Sequence, residues 1–342
     1  MHGNGNQVRN YYIRIKFLKA AICTKYGPPE VLQIKEVDKP APLDNEVLIK
    51  VKASNVADAD YRVRGFRVPT AMWLPARIMM GLTKPKRSIL GAEFSGVISE
   101  VGNNVSRFKK GDSVLGVSLP TFGAYGEYLC VQEDSPLVKK PIEIPWNEAA
   151  AIPIGAKTAN YYLDKAKIQP GQKVLIYGAS GSVGTYAIQI ARNKGARVTG
   201  VCSKKNFELI KALGAEKVVD YNDENWHKGV KDYDVFFQAV DKCPFAIAET
   251  TLKNEATYIN ISNPMPSIVM LFGKLKKNYT LILAKDFPQS IDDLKYLIDL
   301  IAKEEIKVVI DSVFDLNNII QAHHYVDRGH KRGNVVITIS ET

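Results

Sequence analysis

One stretch constrains this chain more than any other: Lys173–Arg192, which reads Lys-Val-Leu-Ile-Tyr-Gly-Ala-Ser-Gly-Ser-Val-Gly-Thr-Tyr-Ala-Ile-Gln-Ile-Ala-Arg. Val174 to Tyr177 is a short β-branched and apolar run, the signature of a buried parallel strand. Gly178, Gly181 and Gly184 follow, and Ala187, Ile188, Ile190 and Ala191 then continue at helical spacing. Strand, glycine turn and helix together place a dinucleotide pyrophosphate on a helix N-terminus. The glycines let backbone N–H groups approach the phosphates, and the helix dipole favours their charge. The predicted phosphate-binding residues are therefore Gly178, Ala179, Ser180, Gly181, Ser182, Val183 and Gly184. Their spacing is Gly-x-x-Gly-x-x-Gly rather than the commoner Gly-x-Gly-x-x-Gly.

The second strand of such a unit, here Arg197 to Cys202, presents its C-terminal end to the adenosine ribose. A site specific for NAD places Asp or Glu there, about 20 residues beyond the glycines, to bind the ribose 2′-hydroxyl. This chain has Ser203, Lys204, Lys205 and Asn206 instead. An acid would repel a 2′-phosphate, whereas a hydroxyl and two ammonium groups hold one. The cofactor expected is NADPH.

At 342 residues the chain is long enough for two domains with their own cores. It has no run of 18 apolar residues, so no membrane span and no membrane partner are expected. Cys23, Cys130, Cys202 and Cys243 are scattered without a Cys-x-x-Cys pair, which suggests neither a disulfide framework nor a zinc knuckle. The formal net charge of +10 raises a nucleic-acid reading, but the basic residues are dispersed and no aromatic-interleaved platform appears. Nucleic acid is not an expected partner. Residues 1–18 read as an N-terminal extension with Arg9, Arg14 and Lys16 and no acid. It has neither an apolar core nor a Ser-rich composition, so the expected compartment is cytoplasmic, with organelle targeting left open.

Lys19–Thr24, Val31–Glu36 and Glu46–Ala53 read as strands, followed by a less regular polar stretch from Asn55 to Gly65 and a loop from Phe66 to Ser88. The first ~140 residues resemble an irregular antiparallel β domain. The pattern changes near Trp146. Strands are predicted at Val174–Tyr177, Val198–Cys202, Lys217–Asp220, Val235–Val240 and Thr257–Ile261, with helices between them. That alternation specifies a doubly wound parallel sheet, and the last strands return to the first domain.

The order of motifs resembles the medium-chain dehydrogenase/reductase superfamily over roughly Lys19 to Ser340. The matching pieces include Gly91-Ala-Glu-Phe-Ser-Gly-Val-Ile, Lys110-Gly-Asp-Ser-Val, Gly123-Ala-Tyr-Gly-Glu-Tyr and Gly178-Ala-Ser-Gly-Ser-Val-Gly. The run from Cys202 to Tyr221 and the ending Gly329-His…Gly333-Asn-Val-Val are similar to its quinone-oxidoreductase branch. The resemblance implies an α/β protein with an irregular β-rich, GroES-like catalytic domain (19–148 and 290–342) and a doubly wound Rossmann domain (149–289). Zinc-dependent members carry Cys and His where this chain has Ala57 and Ala92, and near Ile154-Gly155 a third ligand is also missing. Alanine cannot coordinate a metal, so no metal site is expected. The zinc-free branch's Asn-Pro-x-Asp is reduced here to Asp60. His323-His324 reads as a solvated helix face, because adjacent helical residues point about 100° apart.

Without a Lewis acid, direct alcohol oxidation loses its main means of stabilising an alkoxide. Hydride delivery to an enone or quinone puts charge on an oxygen that hydrogen-bond donors stabilise. The expected activity is NADPH-dependent reduction of a small-molecule quinone or enone by a monomer or homodimer. Asp60, Tyr61 and Arg62 from one domain and Lys157 and Thr158 from the other are expected to wall the cleft. Tyr61 reads equally as a proton donor or a core tyrosine, and Lys157 as a site donor or a surface cation. Thr158 resembles the position that meets the nicotinamide amide, and Tyr221 one near the 2′-phosphate. The alternatives are an NADP-dependent alcohol or aldehyde dehydrogenase, and a non-catalytic, crystallin-like protein binding NADPH or RNA.

Overall fold

The computed structural model describes residues 17–68, 73–264, 267, 270–271, 275, 277–284 and 290–340. The extension expected over 1–18 lies outside them except for Phe17 and Leu18, which open the first strand. β1 (Phe17–Cys23) and β2 (Leu32–Asp38) pair antiparallel. β3 (Glu46–Asn55) leads into α1 (Asp58–Arg64) and then α2 (Trp73–Met80). β4 (Glu93–Val101), β5 (Ser113–Val117), β6 (Tyr128–Gln132) and β7 (Leu137–Lys139) complete the irregular β half. The stretch 55–65, which lacks an apolar period, is helical over α1. Its N-cap is Ala57, which has no capping side chain, and the Asp60 carboxylate instead reaches back to accept from Ala57 N–H at 2.9 Å.

α3 (Trp146–Ala151) and α4 (Gly155–Lys165) lead into the βα alternation. β8 (Lys173–Tyr177), α5 (Ser182–Asn193), β9 (Arg197–Cys202), α6 (Phe207–Ala212), β10 (Lys217–Asp220) and β11 (Tyr233–Gln238) follow. α7 (Phe245–Thr251), β12 (Leu252–Asn260) and β13 (Thr280–Leu283) finish the sheet. All six strands are parallel, in the order β10-β9-β8-β11-β12-β13. β13 adds a strand to the five expected from sequence, since four residues, Thr280 and three aliphatics, are too short to show a period. The chain reverses its direction of travel across the sheet between β8 and β11. In open α/β sheets a ligand crevice forms outside the strand ends at that switch point.

Val174, Leu175 and Ile176 are fully buried, as are Ala187, Ile188 and Ala191 on the sheet-facing side of α5. Burial of each branched side chain contributes roughly 1.5–3 kcal/mol. Within 290–342 the chain divides. α8 (Ile291–Ala302) buries Leu294, Leu297 and Ile298 in the same core as β8 and α5. β14 (Ile310–Asp315), α9 (Ile319–Asp327) and β15 (Asn334–Thr338) belong to the β half. β15 pairs antiparallel with β3, Val336 opposite Asn55. The second sheet runs β14-β15-β3-β4-β5-β7, with β6 on β3. The returning chain also touches the glycine turn, where Gly333 N–H donates to Ser180 O at 2.8 Å.

Candidate active-site cleft

A cleft of about 950 Å³ opens at the switch point, where the ends of β8 and β11 meet α1, the end of β3 and the 329–331 segment. Ligand sites typically occupy about 300–1,000 Å³, so this one is of cofactor-plus-substrate size. Its floor is the glycine turn. Gly178 has φ +82°, a left-handed conformation that favours glycine, and an added Cβ would lie 2.7 Å from Val240. Gly181 is the N-cap of α5 and brings no side chain to cap it, so the N–H groups of the first turn stay available to an anion. A Cβ at Gly184 would sit 2.2 Å from Gly178 O, so glycine is needed there for close packing of helix against turn. Gly181 differs. Its φ of −80° suits any residue, and a Cβ would meet only Gly178 O at 3.5 Å. The backbone tolerates a side chain at Gly181, so nothing in the fold itself requires glycine there.

At the far end stand Ser203, Lys205, Asn206 and Tyr221. Asn206 is buried and donates to Ser203 Oγ at 3.2 Å, which fixes the loop after β9. Lys205 is exposed and lines the cleft. Lys204 is exposed too but lies off the lining. Tyr221 packs its ring 6.4 Å from that of Tyr177, so it combines a packing role with a place on the wall. No acidic side chain ends β9.

The opposite end is built from paired side chains. Asp58 accepts from the Tyr61 hydroxyl and is ion-paired with Arg62. Burial, followed by the Asp58 charge, pushes the Tyr61 phenol up to about 12, so its proton is held rather than offered. Behind it, the buried Glu93 accepts from Asn55 Nδ2 at 2.6 Å and from Ile154 N–H at 2.5 Å. Asn55 also donates to Asn334 Oδ1 at 3.3 Å, and Ser182 Oγ donates to the same oxygen at 2.6 Å. This network ties β3, β4 and β15 of one half to the start of α5 in the other. Burial raises the Glu93 carboxyl to about 7, against the pull of its two N–H donors and Lys331. Lys331 lines the cleft and donates to Gly333 O at 2.9 Å. Its own pKa is lowered by burial, while Asp58, Glu93 and Asp311 favour its charged form.

Of the residues expected on the wall, Tyr61, Arg62 and Thr158 are there, with Gly178 and Ser180–Gly184 beneath and Ser203, Lys205 and Tyr221 at the ribose end. Two expected wall residues lie behind it. Asp60 is completely buried and accepts from Ala57 N–H and from Gly91 N–H at 3.0 Å, so it braces α1 against the 91 loop. Burial pushes its carboxyl up to about 7. Lys157 is also completely buried, on α4, and feels Asp293 of α8. Burial pulls its ammonium down to about 8, with Asp293 opposing. It is neither a cleft donor nor a surface cation. Ala179 is buried under the turn and serves by packing.

Asn55, Asp58, Glu93, His330 and Lys331 were missed as cleft residues. The Gly329-His…Gly333 run was visible as a motif, but nothing in its spacing shows that it folds back onto the glycine turn. The histidine pair also differs from expectation. His324 is exposed and bonds Glu30 at 2.7 Å, whereas His323 is fully buried, its ring 5.6 Å from that of Tyr125. Burial drives the His323 pKa down to about 3, which keeps it neutral.

Comparison with known proteins agrees with this geometry. Residues 43–142 match the alcohol dehydrogenase GroES-like domain, and residues 213–337 match the zinc-binding dehydrogenase family. A chloroplastic quinone-oxidoreductase homolog of Spinacia oleracea is 30% identical over 329 residues, covering 91% of this chain and 95% of the relative. The chain belongs to the medium-chain dehydrogenase/reductase superfamily, in its zinc-independent, quinone-oxidoreductase-like branch. It is accordingly an oxidoreductase with a nicotinamide cofactor. The chloroplastic NADPH-dependent alkenal/one oxidoreductase of Arabidopsis thaliana is 27% identical over 337 residues, covering 94% of this chain and 80% of the relative. The solved quinone oxidoreductase from Coxiella burnetii superposes with a TM-score of 0.83 at 28% identity, over 95% of this chain and 100% of that one. Ala57 stands on the cleft wall and Ala92 is buried behind it, and neither methyl group can ligate a metal.

Proposed function

We propose that this reductase transfers hydride from NADPH to a quinone or an α,β-unsaturated carbonyl. The observation that carries the reading is the continuity of the cleft. It runs from Ser203 and Lys205, over the uncapped start of α5, to a wall holding Tyr61, Arg62 and Lys331. A bound NADPH would supply the hydride, and the chain's residues bind, orient and polarise. Ser203 and Lys205 would hold the 2′-phosphate, while the first-turn N–H groups of α5 would hold the pyrophosphate. Thr158 would meet the nicotinamide amide. Hydride arriving at the β-carbon would move charge onto the carbonyl oxygen, which Lys331 on the cleft wall would stabilise, and a proton taken up from solvent would complete the saturated carbonyl. The Tyr61 proton is committed to Asp58, so the structure supports Tyr61 as a brace for the wall.

The names of the spinach and Arabidopsis relatives support a quinone or alkenal substrate. Both names also say chloroplastic, while the proposed compartment here stays cytoplasmic and the proposed state a monomer or homodimer. NADPH oxidation measured over a panel of quinones, enones and aldehydes tests the activity. Turnover of quinones or enones, with aldehydes inert, is the expected result. Turnover of aldehydes alone would overturn it in favour of an alcohol or aldehyde dehydrogenase.

A further inference from the structure

α2 presents an unusual face to solvent. On a surface helix the outward stripe is polar and the inward one apolar. Here Leu74, Ile78 and Met79 are 63%, 64% and 71% exposed, and Leu82 just beyond the helix is 70% exposed. At about 100° per residue, Leu74, Pro75, Ile78 and Met79 share one outward arc. The inward side is filled by the buried Ala76 and by Arg77, whose guanidinium lies 3.9 Å from the centre of the Phe66 ring and 4.6 Å from that of Tyr26. The helix thus turns its half-buried cation onto aromatic rings and exposes its aliphatic side chains. Trp73, half exposed, packs edge-on against Phe66 at the start of the helix.

The charge carried by this stretch of chain has one sign. Between Asp60 and Glu93 the chain has no acidic residue. Lys84, Lys86 and Arg87 are exposed directly after the helix, and Lys86 Nζ donates to Ile78 O at 3.0 Å, which places that ammonium at the helix's C-terminal end. A second copy of this chain would set like charge against like, as would the 1–16 segment with Arg9, Arg14 and Lys16. An anionic lipid surface complements both features, since it takes aliphatic side chains into the acyl boundary and cations at the headgroups. No described helix is long and apolar enough to cross a membrane, and none is needed for a face that lies on one.

We infer that α2 with Leu82 and the following Lys84, Lys86 and Arg87 is a docking face for anionic membrane surfaces. The reductase then works at the interface. The face stands apart from the cleft lining, so the inference holds or fails independently of the proposed reaction.

Co-sedimentation of the full chain with vesicles tests it, using phosphatidylcholine with or without about 30 mol% phosphatidylserine. The expected result is binding to the anionic vesicles at low salt, weakening as salt rises, and little binding to the neutral ones. Leu74→Ser with Ile78→Ser and Met79→Ser should lower the partition coefficient roughly ten-fold or more, with melting temperature unchanged. Lys84→Glu with Lys86→Glu and Arg87→Glu should abolish the preference for anionic lipid. A parent protein that stays in solution beside anionic vesicles at low salt overturns the inference. So does an apolar triple variant that partitions like the parent. A dimer that this variant converts to monomer, without any vesicle binding, assigns the face to a second copy and overturns it equally.

Discussion

The two ends of the cleft are built in opposite ways. The phosphate end is made of backbone: a left-handed Gly178, an uncapped Gly181 and a Gly184 pressed against the turn. The substrate end is made of side chains that hold one another, Asp58 with Tyr61 and Arg62, and Glu93 with Asn55, Asn334 and Ser182. A backbone-built site depends on what is absent from a few adjacent residues. A side-chain-built site depends on partners holding one another: Asp58 and Arg62 pair within one turn of an exposed helix face, whereas the buried Glu93 needs donors brought from distant parts of the chain.

If that contrast is right, the largest effect comes from filling the space under the turn. Gly184→Val puts a side chain where only 2.2 Å separates an added Cβ from a backbone oxygen. We expect a melting temperature lower by roughly 5–10 °C, together with loss of NADPH binding. A variant that melts like the parent would show that the turn is not closely packed.

The ribose end is intermediate, with an exposed cation on a rigid loop. Lys205→Ala should raise the NADPH Michaelis constant roughly ten-fold and leave NADH nearly unchanged, because a hydrogen bond to a charged group is worth about 1.5–3 kcal/mol. Lys204→Ala should do much less, since that residue lies off the lining. Equal effects on the two cofactors would remove Lys205 from the 2′-phosphate.

The smallest effect probes the side-chain end through pH. Burial raises Glu93 from 4.5, and Asp60 from 3.8, to about 7 in the folded protein. Between those values and about pH 7 the unfolded chain has lost protons that the folded one keeps. Stability therefore falls as pH rises through this window. Glu93→Gln removes one of the two groups, so the drop in melting temperature from about pH 5 to about pH 8 should shrink by roughly 2–4 °C. An unchanged pH dependence would mean that Glu93 is ionised throughout.

This contrast also governs what could be read in advance. β8, the glycines and α5 are contiguous, so period and spacing reveal them together. Ser203 and Lys205 follow from the same local logic. The other wall was only partly legible. Asn55–Glu93–Asn334 spans nearly the whole chain, and Lys331 reaches the cleft only because β15 returns to β3. Asp60 and Lys157 are polar residues next to cleft positions. Sequence shows their adjacency, but whether a helical residue faces the cleft or the core depends on packing. Asp60 turned inward to cap α1 in place of an N-cap side chain, and Lys157 is buried on α4 within reach of the Asp293 charge. α1 itself escaped notice because its capping acid lies inside the helix rather than before it.

The central claim is that a dinucleotide lies across the start of α5, and Gly181 tests it most directly. The fold has room for a side chain there, with a favourable backbone and its nearest contact at 3.5 Å, whereas a bound pyrophosphate would take that same room. Calorimetric titration of Gly181→Val with NADPH, beside its melting curve, separates the two. We expect a melting temperature close to that of the parent and no measurable NADPH binding. Normal NADPH binding by the folded variant would contradict the account and put the phosphate site elsewhere.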